Sequence, residues 1–184
     1  MKERLERAVA ELLEAAGVDR SDPQLAKTPA RVAAFWQREF LSGYDEDPRA
    51  ILAPLPDGAQ YTDDLVIVEG LSCHGLCPHH LLPFVGQATV AYLPRGRLVG
   101  LGQLGRLVRC FTQRLTLQET ATSAVVAALE THLGVAGAAC VIRAHHQCLG
   151  IPGDRDSDHR VTTSRFSGAC DSAEMRAVLL GARA

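Results

Sequence analysis

Ser72-Cys73-His74-Gly75-Leu76-Cys77-Pro78-His79-His80 places two cysteines and three histidines within nine residues. Before it runs Leu65-Val66-Ile67-Val68, a short β-rich segment. After it, Phe84 to Leu93 carries Val85, Ala88, Val90 and Tyr92, which predicts a longer strand. A ligand-rich connection between two neighbouring strands predicts an antiparallel pair, because a short link cannot cross over to a parallel one.

Downstream, Pro94-Arg95-Gly96-Arg97 reads as a turn and Leu98-Val99-Gly100-Leu101 as a brief return strand. Leu104, Leu107, Val108 and Phe111 then recur at helical spacing, as do Val125, Val126 and Leu129 within a helix over 121–133 that Gly134 stops. Ala138 to Ala144 is a strand, Val161-Thr162-Thr163 begins another, and 172–180 is a terminal helix that Ser172 can cap. The order β-β-α-α-β-β predicts an α+β fold, an antiparallel sheet with two helices on one face.

Upstream, residues 2–16 form an amphipathic helix through Leu5, Val9, Leu12 and Leu13, ended by Gly17. A second helix starts at Thr28-Pro29, with Thr28 as cap and Pro29 at the first helical position. Val32, Phe35, Trp36 and Phe40 line one of its faces, Gly43 closes it, and a loop rich in Asp and Pro runs from Asp45 to Asp57. Residues 1–55 are expected to be a helical extension and 56–184 the main domain.

The 184 residues are 47% hydrophobic and 22% charged, as in ordinary globular domains. A net charge of −2 offers no field for nucleic acid or an anionic membrane. No apolar run approaches the roughly 20 residues of a membrane span, and the mixed charges of Met1-Lys2-Glu3-Arg4-Leu5-Glu6 are no signal peptide. A cytoplasmic protein with reduced thiols is the expectation.

Imidazole and thiolate are the ligands that hold zinc. Cys77 and His80, three apart, can fold around one ion, and Cys148 of His145-His146-Gln147-Cys148 can reach them from a distant strand. Three protein ligands with an open position make a catalytic zinc; a fourth, from Cys73, His74 or His145, would make it structural. Spacing leaves both open, together with no metal at all. His79 and His146 neighbour these ligands, as general acids or bases or as groups that orient ligands. His132, late in a helix, compensates the dipole there. Cys110 and Cys140 read as core residues, and Cys170 has no assigned partner. Glu119 opens a helix, where a carboxylate suits the dipole. Arg95, Arg97, Arg106, Arg109 and Arg114 are mostly solvated, some of them able to meet phosphate.

Several stretches together resemble the GTP cyclohydrolase I family. Leu25-Ala26-Lys27-Thr28-Pro29-Ala30-Arg31-Val32 is similar to its Leu-x-x-Thr-Pro-x-Arg-Val helix start. Cys77-Pro78-His79-His80-Leu81-Leu82-Pro83-Phe84-Val85-Gly86 resembles its Cys-Glu-His-His-Leu-Leu-Pro-Phe-x-Gly loop. Val90 to Pro94 and Gly100-Leu101 follow in order. Gln113 to Glu119 resembles Gln-Arg-x-x-x-Gln-Glu, and His146-Gln147-Cys148 resembles His-x-Cys. Thr162-Thr163-Ser164 and Gly168 are similar to its last strand, so the likeness spans about residues 22–170.

The resemblance implies a T-fold whose subunits join into a barrel-shaped homo-oligomer, commonly a decamer, with active sites between subunits. It implies zinc held by Cys77, His80 and Cys148, and water attacking C8 of GTP. His146 would protonate the imidazole nitrogen and His79 assist at the ribose ring oxygen. Glu119, with Gln118, would hold the guanine edge. Arg31 and Arg106 stand at family basic positions. Formate would leave and the remainder close to 7,8-dihydroneopterin triphosphate.

Departures bear on the phosphate end. The family's loop Glu is Pro78, its Gly-Leu-Ser-Lys is Gly100-Leu101-Gly102-Gln103, and its Arg-Gly is Pro152-Gly153. The lysine and arginine are expected triphosphate contacts, each worth roughly 1.5–3 kcal/mol as a charge-assisted hydrogen bond. Arg155 or Arg160 are the candidate substitutes. Beside the cyclohydrolase reading stand two others. One is a diverged enzyme that opens another purine nucleotide or nucleoside, or halts before ring closure. The other is a non-catalytic T-fold protein that binds a pterin or purine.

Overall fold

The computed structural model describes residues 1–19, 21–54, 64–151 and 159–181. Its centre is a four-stranded antiparallel sheet in the order β1 (Val66–Leu76), β2 (Pro83–Leu93), β3 (Gly137–His146), β4 (Val161–Gly168). The sheet's strands occur in chain order, with the helices α4 (Leu101–Thr112) and α5 (Gln118–Ala128) between β2 and β3. This is the ββααββ T-fold of the expectation.

The period-two pattern explains how the sheet is covered. Ala88, Val90 and Tyr92 of β2 and Ala138, Cys140, Ile142 and Ala144 of β3 face one side, and all are buried. Leu104, Leu107, Val108, Val125, Val126 and Leu129 from the two helices complete that core. The residues between them, Ala91, Ala139 and Val141, meet Phe166, Cys170 and Leu179 on the other side. There the terminal helix α7 (Ala173–Gly181) packs. Its first turn is capped by Ser172, whose Oγ accepts from Met175 N at 3.1 Å. Arg143 Nη2 donates to the last carbonyls of α7, at 2.8 Å from Leu179 O.

At the N-terminus, α1 (Lys2–Ala15) packs on α2 (Thr28–Phe35), which continues as a π-helical turn, Trp36–Phe40. Three local expectations change here. Lys27 occupies the N-cap of α2 and Thr28 is its first helical residue, so Pro29 takes the second position. Gly43 does not stop the helix; it lies in a following 3₁₀ turn, Ser42–Asp45. A Cβ on Gly43 would stand 2.4 Å from the Cys110 carbonyl oxygen, so the glycine is there for close approach to α4. The loop after it contains a short helix, α3 (Pro48–Ile51), and its end at 55–57 lies outside the described residues.

Two strand expectations change as well. Leu98 to Gly100 forms no return strand: Val99 is buried in the core and Leu101 already begins α4. The Val99 N–H points to the Tyr92 hydroxyl, at 3.5 Å, instead of to a strand partner. Conversely, β1 extends through Cys73-His74-Gly75, paired to Gly86, Val85 and Phe84. Only Cys77–Leu82 is left as the connecting loop. Gly134 does end the second helical run, which finishes in a π turn, Leu129–Leu133; its φ of 71° is open to glycine at little cost.

Candidate active site

The loop between β1 and β2 closes on itself. Cys77 N–H donates to Leu82 O at 2.9 Å, and Leu81 N–H donates to Cys77 O at 2.9 Å. Leu81 accepts a left-handed φ of 55° to make this closure, a conformation that costs a non-glycine residue about 1–2 kcal/mol. The closed loop turns Cys77 and His80 toward each other, with Sγ and Nδ1 3.8 Å apart. At the far end of β3 the chain makes one helical turn, α6 (Gln147–Gly150), and Cys148 sits in it rather than in a strand. The ligand atoms of Cys77, His80 and Cys148 all lie within 4.8 Å of one another.

That geometry fits zinc. Two thiolates and an imidazole around a tetrahedral ion, with bonds of about 2.3 and 2.0 Å, stand about 3.5–3.8 Å apart. Burial, then the adjacent Cys77 sulfur, push the Cys148 thiol above its ordinary range. Two thiolates so close repel each other unless a cation lies between them.

None of the proposed fourth ligands joins this group among the described residues. Cys73 faces the core between sheet and helices, and burial pushes its thiol up to about 12. His74 Nε2 lies 2.8 Å from Glu39 O and 3.0 Å from Gln113 Nε2, committed to the N-terminal segment and to the end of α4. His145 is exposed and meets the His159 ring edge-on, with centroids 6.0 Å apart. Among the described residues, Cys77, His80 and Cys148 are thus three candidate ligands without a fourth. All six cysteines are free thiols.

His146 ends β3, two residues before Cys148. Its ring stacks on the buried Phe84, with centroids 5.1 Å apart and planes 19° from parallel. Its Nε2 is 2.7 Å from Gln118 Oε1. Burial holds the imidazole below its ordinary pKa; the Glu119 carboxylate acts the other way and His159 adds to the lowering. His159 Nε2 also lies 2.9 Å from the His146 carbonyl oxygen. His159 carries no recognisable spacing in the sequence, and the reading from sequence passed over it. Thr122 is visible only afterwards, as the residue one helical turn beyond Gln118.

The remaining candidates divide. His79 is exposed on the loop, its ring edge-on to His80 with centroids 6.2 Å apart. Glu119 is exposed at the first turn of α5. Gln118 beside it is buried, 1% exposed, with its amide bonded entirely to protein. Arg31 is exposed on α2, lining a shallow cleft with Val32, Phe35 and Trp36. Arg106 is ion-paired with Glu46. Gln103 holds the start of α4, accepting from Gly100 N–H at 2.7 Å and donating to Ile51 O at 2.7 Å. A Cβ at Gly102 would meet nothing within 4 Å, so packing does not require glycine there. Arg114 donates to Gly43 O and Cys110 O, which makes it a structural clamp. Arg160 is exposed; Pro152, Gly153 and Arg155 lie outside the described residues.

Comparison with known proteins places the chain in a family. The sequence model of the family "GTP cyclohydrolase I" matches residues 5–181. "GTP cyclohydrolase 1" of Ralstonia nicotianae is 44% identical over 169 residues, 90% of this chain and 78% of that one. The protein of the same name from Chromobacterium violaceum is 42% identical over 166 residues, covering 89% and 78%. That from Campylobacter lari is 38% identical over 170 residues, covering 92% and 88%. With matches of this extent on a T-fold sheet that brings Cys77, His80 and Cys148 together, the chain belongs to the GTP cyclohydrolase I family.

Proposed function

We propose that this chain is a zinc-dependent GTP cyclohydrolase I. It hydrolyses the imidazole ring of GTP, C8 leaves as formate, and the remainder becomes 7,8-dihydroneopterin triphosphate. The observation that carries this reading is the convergence of Cys77, His80 and Cys148, from two separate parts of the chain, next to His146. Zinc held there supplies Lewis acidity and brings a water's pKa down to about 7. Cys77, His80 and Cys148 would hold it. His146 exchanges a proton with the purine ring. His79, exposed on the loop, serves the ribose. Glu119 accepts from the guanine N1–H and amino group, a contact that an analogue lacking those donors leaves unpaired.

The assembly is a homo-oligomer, a decamer by analogy with the family, with active sites between subunits, and the enzyme works in the cytoplasm. Supporting this, β1 and β4 are the open edges of the sheet among the described residues. An apolar groove lined by Leu5, Val9, Leu12, Val32, Trp36 and Leu81 also opens beside the Cys77–Leu82 loop. No helix among the described residues is long and apolar enough to cross a membrane.

Zinc-loaded protein mixed with GTP tests the proposal, with formate and pterin absorbance followed together. Both products are expected in equal amounts; neither product overturns it. A second reading has its own support: with Gln103 spent on Gly100 and Ile51 and Arg106 on Glu46, the grip on a triphosphate is weak. It predicts that GMP or guanosine opens as fast as GTP, and a strong preference for GTP excludes it.

A further inference from the structure

The hydrogen atoms around Gln118 can be assigned one by one. Thr122 Oγ1 donates its single proton to Gln118 O, one turn back in α5, at 2.7 Å. Thr163 Oγ1 lies 2.6 Å from Thr122 Oγ1 and therefore donates to it. Thr163 is then an acceptor toward Gln118 Nε2, at 3.0 Å. The carbonyls of Ile142 and Val161, at 2.9 and 3.1 Å, are the other two acceptors around that nitrogen. Turning the amide over would aim Oε1 at two carbonyl oxygens in a buried site, and the Thr163 hydroxyl could answer it only by giving up its bond to Thr122. The orientation is therefore fixed, and Oε1 faces His146 Nε2 at 2.7 Å. An acceptor at that distance requires a proton on Nε2.

We infer that Gln118 is a positioning residue, not a guanine ligand: it locks neutral His146 as the Nε2–H tautomer, so that Nδ1 is the ring's acceptor nitrogen. The Nε2 proton is bonded to Oε1. Both amide hydrogens are taken by Ile142, Val161 and Thr163, so no donor remains for a purine. The face of Phe84 fixes the plane of the ring, while Gln118 fixes its rotation and tautomer. The sheet holds the device from two strands, since Ile142 belongs to β3 and Val161 and Thr163 to β4.

The catalytic meaning of this inference rests on the proposed cyclohydrolase activity; the tautomer itself does not. Zinc-loaded protein labelled with ¹⁵N-histidine is examined by long-range nitrogen–proton NMR at a pH where His146 is neutral. The expected result is a single Nε2–H tautomer, and an Nδ1–H signal overturns the inference. No variant is needed for this measurement, and it stands whether or not GTP is turned over. Gln118→Leu is expected to give mixed tautomers and to lower kcat for GTP about 10- to 100-fold, with KM changed less than threefold. A tenfold rise in KM with kcat retained would identify a guanine ligand instead.

Discussion

The Arg106 guanidinium grips the Glu46 carboxylate, with Nε 3.0 Å from both carboxylate oxygens and Nη2 2.5 Å from Oε2. By resemblance Arg106 stands at a family basic position and is a candidate to bind substrate, yet in the free chain its donors already face a carboxylate. A triphosphate must displace Glu46 or share the arginine with it. Glu46→Gln removes the competing charge while keeping the shape. It is expected to lower KM for GTP several-fold and to leave KM for guanosine unchanged. Steady-state kinetics with both substrates checks this, and equal changes for the two would separate Glu46 from phosphate binding.

Gln103 presents the same conflict at the start of α4. Its side chain accepts from Gly100 N–H and donates to Ile51 O, tying the helix to the end of α3. Lysine at this position retains a donor for Ile51 or for phosphate but cannot accept from Gly100. Gln103→Lys should therefore destabilise the fold by about 1 kcal/mol, the usual loss for one capping bond, and lower KM for GTP. Urea unfolding and kinetics on the same preparation read the two effects. Unchanged stability would mean that the Gly100 bond contributes nothing.

Removal of the metal should abolish turnover while leaving the sheet intact. The Cys77–Leu82 loop is closed by its own backbone bonds, and α6 is a single turn outside the core. Zinc content by elemental analysis should be one per chain in the wild type and fall at least tenfold in Cys148→Ala. Circular dichroism of that variant should match the wild type. A full complement of zinc in Cys148→Ala would mean that other ligands hold it.

How far the fold was readable depends on how local its causes are. The alternation of Ala88, Val90 and Tyr92 against Thr89 and Ala91 announces β2, because each residue's side follows from its neighbours. Cys73, His74 and Gly75 carry no such signal; they become strand because Gly86, Val85 and Phe84 pair with them. Leu98 and Val99 read as strand and form none; Val99 packs into the core just before α4 begins. The grouping of Cys77, His80 and Cys148 was legible as a candidate metal site because metal chemistry admits few residue types, and the fold brings the three together. The setting of Gln118 was not: its partners Ile142, Val161 and Thr163 come together only when α5 lies across β3 and β4.

The buried thiol of Cys73 gives the fold an alkaline limit. Burial raises it from the ordinary 9 to about 12 in the folded chain, and Cys140, buried behind it, moves in the same direction. A group whose folded pKa lies above its unfolded value favours the folded state while it keeps its proton in both states. Above pH 9 the unfolded chain releases the proton and the folded chain does not. Stability from Cys73 then falls by about 1.4 kcal/mol per pH unit until pH 12. Urea unfolding at pH 8, 9 and 10 should show a steeper alkaline loss in the wild type than in Cys73→Ala, by about that amount per unit above pH 9. Parallel curves would place Cys73 in contact with solvent. The same burial predicts that iodoacetamide leaves Cys73 unmodified in the native protein at pH 8 and labels it once urea unfolds the chain, which peptide mass spectrometry detects directly.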